Sequence, residues 1–139
     1  MAKGSETGLL KSIPLFEGFS SKELKLIASQ LHEEWFNEGE DIVRVDDTGG
    51  RFYVIAEGRA KVLIGNRSVR IVGPGDYFGE MSLIDDSPRA ATVRADTQVK
   101  AVWLGRTAFL SLLREHWPMT KKVLADLCAR VRAADTSTH

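Results

Sequence analysis

Between residues 52 and 104 the chain keeps returning to a two-residue period. Residues 52–56, Phe-Tyr-Val-Ile-Ala, are a run of aromatic and β-branched residues that suits a strand. Glu57-Gly58 marks a turn, after which Ala60, Val62 and Ile64 alternate with Arg59, Lys61 and Leu63. Gly65-Asn66 suits a two-residue hairpin, and Val69 and Ile71 resume the alternation beyond it. Residues 90–95 and 98–104 read as two further strands around an Asp96-Thr97 turn. Short strands separated by turn signals predict a β-sandwich or barrel.

The two ends follow a different rhythm. Ser20 and Glu23 form a capping-box pair, flanked by Phe19 and Leu24 in staple positions. Leu24, Ile27, Ala28 and Leu31 share one helical face, which predicts a helix over about residues 21–31. Near the other end, Phe109, Leu110, Leu112 and Leu113 predict a short apolar helix. Pro118 disfavours helical backbone at Trp117, so the chain breaks there and a new helix starts at Pro118. Met119, Val123, Leu127 and Val131 recur every four residues along it, with Leu124 and Cys128 beside them. The polar tail, residues 133–139, is expected to fray.

Composition narrows the function classes. A chain of 139 residues, 43% hydrophobic, supports one domain with a real core. Lys+Arg and Asp+Glu both number 19, so the excess basic charge of a nucleic-acid binder is missing, and no nucleic-acid partner is expected. The single cysteine, Cys128, forms neither an intrachain disulfide nor a cysteine zinc site. It reads as a small buried hydrophobe in a reducing compartment. No stretch approaches the roughly 18 apolar residues of a membrane span, and the N-terminus lacks a signal-peptide core, so a soluble cytoplasmic protein is expected. His32, His116 and His139 are scattered, and no acid, base and nucleophile stand together. Neither a metal site nor an enzyme is expected.

The informative stretch is residues 75–93, Gly-Asp-Tyr-Phe-Gly-Glu-Met-Ser-Leu-Ile-Asp-Asp-Ser-Pro-Arg-Ala-Ala-Thr-Val. Gly79 permits close approach of backbone to a ligand. The residues after it can form a helical turn whose free N–H groups face an anion. Arg89, stiffened by Pro88, offers a planar charged fork for phosphate oxygens. Glu80 beside a phosphate is repelled unless it accepts hydrogen bonds, and a ribose hydroxyl is one natural donor. The segment suits a ligand with one phosphate and a nearby sugar hydroxyl.

Phe78-Gly79-Glu80-Met81-Ser82-Leu83, a four-residue spacer and Pro88-Arg89-Ala90-Ala91-Thr92-Val93 together resemble the phosphate-binding cassette of the cyclic-nucleotide-binding family. That family includes protein kinase A regulatory subunits, the catabolite activator protein and cyclic-nucleotide-gated channels. Flanking segments resemble it too: Pro14-Leu15-Phe16, Gly39-Glu40-Asp41-Ile42, residues 52–58 and Gly73-Pro74-Gly75-Asp76. The resemblance implies a mainly β fold with flanking helices, an antiparallel β-roll or jelly roll. It divides a single domain, residues 1–139, into a helical element (about 8–31), a roll (about 32–104) and C-terminal helices (about 105–134).

It further implies a cyclic AMP sensor that relays binding through its C-terminal helices to an effector domain or partner protein. The implied ligand-binding residues are Phe78, Gly79, Glu80, Met81, Ser82, Arg89, Ala90 and Ala91. Arg89 takes the cyclic phosphate, Glu80 the ribose 2′-hydroxyl, and backbone N–H groups at Gly79 to Ser82, Ala90 and Ala91 the remaining oxygens. Alanine directly after the arginine accompanies adenine preference, where a hydroxyl residue favours guanine. Asp46-Asp47 replaces the family's usual Gly-Asp turn; aspartate tolerates left-handed backbone better than most residues.

Blander readings stand beside these. Arg89 pairs with Asp85 or Asp86 on the surface, Glu80 is an ordinary helix-start carboxylate, and Gly79 is a turn glycine. Phe78, Met81, Leu83 and Ile84 are packing residues, as are Trp103 and Trp117 in a core or interface. Arg130 and Arg132 lie on a solvated helix face, unless Arg130 or Val131 covers the base. The competing functions are a structural or dimerisation module that binds no nucleotide and a cyclic GMP sensor.

Overall fold

The computed structural model describes residues 2–138, with side chains from residue 7 to residue 134. Its strands are β1 (His32–Phe36), β2 (Asp41–Val43), β3 (Arg51–Glu57), β4 (Ala60–Ile64), β5 (Arg67–Val72), β6 (Tyr77–Phe78), β7 (Thr92–Ala95) and β8 (Val99–Gly105). They form two antiparallel sheets, in the orders β1-β8-β3-β6 and β2-β7-β4-β5. Helices α1 (Ala2–Lys11) and α2 (Ser21–Gln30), joined through a 3₁₀ turn at Pro14–Phe16, precede the sheets. The short α3 (Glu80–Ile84) interrupts them, and α4 (Arg106–Glu115) and α5 (Trp117–Thr138) follow. The expected antiparallel β fold with flanking helices is what the chain adopts.

Two cores explain the uninterrupted apolar runs. On β3, Tyr53 and Ile55 point between the sheets, while Phe52 and Val54 point into a second core shared with the helices. β8 does the same, with Val99 and Ala101 on one side and Val102 and Leu104 on the other. A strand covered on both faces shows no polar alternation. Full burial of each such aliphatic or aromatic side chain contributes about 1.5–3 kcal/mol.

α2 starts where the capping box puts it: Ser20 N donates to Glu23 Oε1 at 2.8 Å, and Glu23 N donates to Ser20 Oγ at 3.1 Å. Leu24, Ile27, Ala28 and Leu31 are all buried. The Gly65-Asn66 loop joins Ile64 to its partner Arg67, with positive φ at Gly65 alone, the pattern of a type II′ turn.

Several expectations need correction. The alternation in β4 breaks, because the β4–β5 register shifts between Val62 and Leu63; Leu63 is buried and Ile64 is exposed. In β5, Val69 and Ile71 face outward, while Arg70 and Val72 face inward. Ala90 and Ala91 lie ahead of β7 in a bend, and the final strand starts at Val99 rather than Gln98. The break between the last helices falls at His116, and α5 runs on through the polar tail to Thr138 instead of fraying at Ala133. His139 lies outside the described residues. Cys128 is exposed, not buried. Trp117 is exposed, whereas Trp103 stacks on His32 and packs against the inter-sheet core.

Candidate functional site

The cassette begins where β6 ends. Gly79 has φ +96° and forms the N-cap of α3. A Cβ there would lie 2.7 Å from Arg89 Nη1 and 2.9 Å from Arg51 O, so the position excludes side chains on conformational and steric grounds alike. Phe78 anchors the segment in the inter-sheet core and Leu83 anchors it in the helical core. Met81 and Ile84, expected to pack, are instead exposed. The N–H groups of the first turn of α3 have no intrahelical acceptor by geometry, and Ser82 Oγ donates to Gly79 O at 3.4 Å.

The surface reading of Arg89 does not describe the molecule. Asp85 accepts from the N–H and hydroxyl of Ser87, which hold its carboxyl below the usual carboxylate range. Asp86 pairs with Arg106. Arg89 itself is only 5% exposed. Its Nη1 donates to Gly79 O at 3.0 Å and its Nη2 to Arg51 O at 2.7 Å, while the buried Nε has no partner among the described residues. Burial lowers its pKa from the ordinary arginine value, with Tyr53, Glu80 and Asp47 opposing that effect.

The Asp46-Asp47 turn turns out to hold the arginine. Asp46, at φ +72°, donates its N–H to Arg89 O at 2.8 Å, and Asp47 O accepts from Arg89 N at 2.8 Å. The guanidinium lies against Gly49, where a Cβ would approach Nη2 to 2.4 Å. Thus Arg89 is clamped between two glycines, on an aspartate turn and two main-chain carbonyls.

Glu80, 2% exposed, accepts from Arg130 Nη1 of α5 at 2.8 Å through Oε1. Arg132 is exposed as expected of a solvated face, but Arg130 reaches back into the cassette, and Val131 points away at 67% exposure. Among the described residues, the N–H groups of Ala90 and Ala91 find no main-chain acceptor. Gly79 to Ser82, Arg89 to Ala91, Phe78, Arg70 and Arg130 line one cavity of about 130 Å³. Every residue assigned to the ligand from the sequence is therefore brought to a single wall. Three arginines face one carboxylate there, a balance that favours an anion. The space is smaller than the ~300–1,000 Å³ of most ligand pockets, and Arg130, bonded to Glu80, forms part of its lining. Arg70 and the close packing of Gly49 on Arg89 escaped the sequence reading, which singled out the Asp46-Asp47 turn but gave it no part in the site; a charge flanked by Val69 and Ile71 and the Gly49-Gly50 pair were the available signals. Among the described residues no cluster of His, Cys, Asp and Glu can hold a metal, and no helix is long and apolar enough to cross a membrane.

Residues 33–116 match the family model described as the cyclic nucleotide-binding domain. The chain is 41% identical over 106 residues, 75% of its length, to a cAMP-dependent protein kinase regulatory subunit of Emericella nidulans, of which it spans 26%. It is 38% identical over 97 residues, 70% of its length, to a cGMP-dependent protein kinase of Toxoplasma gondii, of which it spans 10%. The chain thus spans about a quarter or less of these curated relatives. Among solved structures, the regulatory domain of Toxoplasma gondii PKA in co-crystal with cAMP superposes with a TM-score of 0.81 at 30% identity, covering 93% of this chain and 50% of that one.

Proposed function

The chain belongs to the cyclic nucleotide-binding domain family, and from that premise we propose that it is a regulatory sensor of cyclic AMP. The observation that carries the reading is Arg89: a guanidinium buried to 5% exposure, with an orphaned Nε–H and, among the described residues, no carboxylate in salt-bridge contact. A buried cation without a counter-ion is costly, and a phosphate diester beside it supplies the missing charge and acceptors. The free N–H groups of Ala90 and Ala91 and of the first turn of α3 add donors. Glu80 would offer Oε2 to a ribose 2′-hydroxyl while Oε1 holds Arg130. The homologous regulatory subunits support a sensor rather than a catalyst.

The relay is part of the proposal. Nucleotide entry requires Arg130 to yield space, so binding moves α5 relative to the sheets. The ligand shifts the equilibrium only by its differential affinity for the two arrangements. An effector domain or partner protein then reads the position of α5.

A thermal melt with and without cyclic AMP tests this. At a ligand concentration 100 times Kd the native state gains about 2.7 kcal/mol, a rise in Tm of several degrees. Arg89→Ala should abolish most of the rise, because charge-assisted bonds of about 1.5–3 kcal/mol each are lost, roughly a hundredfold in affinity. An unchanged melt of the wild-type chain at millimolar nucleotide would favour a structural or dimerisation module instead.

A further inference from the structure

We infer that the groove between α2 and α4 is a second small-molecule site, suited to an aromatic amine, and that its ligand acts on the break between α4 and α5. The effect on α5 rests on the nucleotide reading given above, whereas the groove stands on its own residues.

This groove measures about 580 Å³, against about 130 Å³ at the cassette. It falls within the ~300–1,000 Å³ range of small-molecule sites. Two facing stripes form it. On α2 they are Glu23, Leu26, Ile27 and Gln30, spaced as one face of a helix. α4 opposes them with small side chains, Thr107, Ala108 and Ser111. α2 packs chiefly on α1, and α4 on α5, β3 and β8, rather than on each other. The gap therefore stays open, with Leu26 exposed to 63% at its side.

One wall carries the chemistry. The His116 ring lines the groove and stacks on Phe19, with centroids 3.6 Å apart and planes 17° from parallel. That pair is a flat surface for a further ring. His116 Nδ1 is buried and has no hydrogen-bond partner among the described residues. A buried ring nitrogen left unpaired is costly, and a ligand N–H supplies what it lacks when Nδ1 carries the lone pair. The carboxylates of Glu23 and Glu115 line the groove, and no Lys or Arg does. An amine suits that balance and an anion does not. The cassette, with its arginines, has the opposite preference.

His116 is also the residue at which α4 gives way to α5. Its N–H donates to Leu112 O at 2.9 Å, and its carbonyl accepts from Thr120 N at 3.2 Å. A molecule held against this ring braces the two helices in the arrangement seen here, where Arg130 of α5 bonds to Glu80. Nucleotide entry needs Arg130 to yield, so the groove ligand opposes it. Such coupling is reciprocal.

Tryptamine, indole and indole-3-acetate share one ring system and carry positive, no and negative charge. Calorimetric titration of the full chain should rank them in that order, with tryptamine at least about fivefold tighter than indole-3-acetate. The His116 ring-proton NMR signal, identified by its loss in His116→Phe, should shift with tryptamine. His116→Phe keeps the stack on Phe19 and removes Nδ1, so tryptamine should bind about threefold to tenfold more weakly. Ser111→Trp fills the groove and should abolish binding. Saturating tryptamine should weaken cyclic AMP about threefold or more, and saturating cyclic AMP should weaken tryptamine by the same factor. Equal affinity for the three probes, an unmoved His116 signal or wild-type affinity in Ser111→Trp overturns the site. The first two comparisons use the wild-type chain and hold even if a variant does not fold. Tryptamine binding that leaves cyclic AMP affinity unchanged overturns the action on α5. A chain that binds tryptamine and no cyclic nucleotide keeps the groove site and refutes the nucleotide reading.

Discussion

Two adjacent glycines make the clamp on Arg89 testable without touching the arginine. Gly49 and Gly50 follow each other in one loop, and neither has a positive φ, so alanine is conformationally acceptable at both. They differ in space. A Cβ on Gly49 would lie 2.4 Å from Nη2, 2.5 Å from Nε and 2.7 Å from Cζ of Arg89, whereas a Cβ on Gly50 meets nothing within 4 Å. Gly79 bounds its other edge at the same time, so the guanidinium can give way only by leaving these contacts for the cavity it lines. Gly49→Ala must push Arg89 off its two carbonyl partners. Overpacking of this kind costs about 1–3 kcal/mol of stability. Displacing the phosphate-binding fork removes at least one charge-assisted bond, about 1.5–3 kcal/mol, which is roughly tenfold to a hundredfold in affinity for cyclic AMP. Gly50→Ala should bind normally and gain about 0.4–1 kcal/mol through a less flexible unfolded chain. Calorimetry with cyclic AMP and urea denaturation of both variants supply the numbers. Unchanged affinity in Gly49→Ala, or an equal loss in Gly50→Ala, would show that the arginine is not held where its contacts place it.

Three further outcomes follow from contacts already described. Arg130→Ala leaves the buried carboxylate of Glu80 without its partner. Breaking a fully buried pair costs about 3–5 kcal/mol, reduced here to about 2 kcal/mol because the Arg130 side chain is 35% exposed. Adding Glu80→Gln should restore most of that loss, and additive effects in the double-mutant cycle would contradict the pairing. Ser20→Ala should cost about 1 kcal/mol by removing the α2 cap, read from urea midpoints. The Ser20 N–H and hydroxyl depress the pKa of Glu23. Its stabilising contribution is therefore complete above the ordinary glutamate pKa, near 4.3, and is lost as pH falls through the lower folded value. Glu23→Gln should remove that acid-limb dependence, and an unchanged acid limb would refute the assignment.

The fold was largely legible because its strongest signals are local. The α2 cap, the Gly65-Asn66 hairpin and the run through residues 52–56 each specify structure within a few residues. Two features were not legible for physical reasons. β1 has the burial pattern of an edge strand, with only Phe36 buried, so it carries almost no apolar period. α1 contains Gly4 and Gly8, each costing about 1 kcal/mol in a helix. Its packing through the buried Leu10 supplies what propensity lacks. Cys128 and Trp117 misled for another reason: both belong to types often buried, yet α5 presents them to solvent.

The site divides differently. Its chemistry-bearing residues were legible because a contiguous cassette carries them, and Gly79, Glu80 and Arg89 need only a short turn and a loop to meet. What holds them comes from afar: the carbonyl of Arg51, the Asp46-Asp47 turn, Gly49 and Arg130 are 38 or more residues away from their partners in sequence. No local pattern encodes such a pairing. The same distance accounts for Arg70. Read by period alone, Val69 and Ile71 belong inside and Arg70 outside, and hydrophobic burial by itself would choose that register. β5 instead pairs Arg70 with Val62 and Val72 with Ala60, and directly opposed residues share a face, so both point inward with their partners. Two exposed β-branched residues forgo a few kcal/mol of burial. The register so obtained leaves a guanidinium unpaired in the cavity that the cassette, the aspartate turn and α5 enclose. That arrangement weakens the core and gathers positive charge in the pocket, the kind of local conflict that concentrates at functional sites.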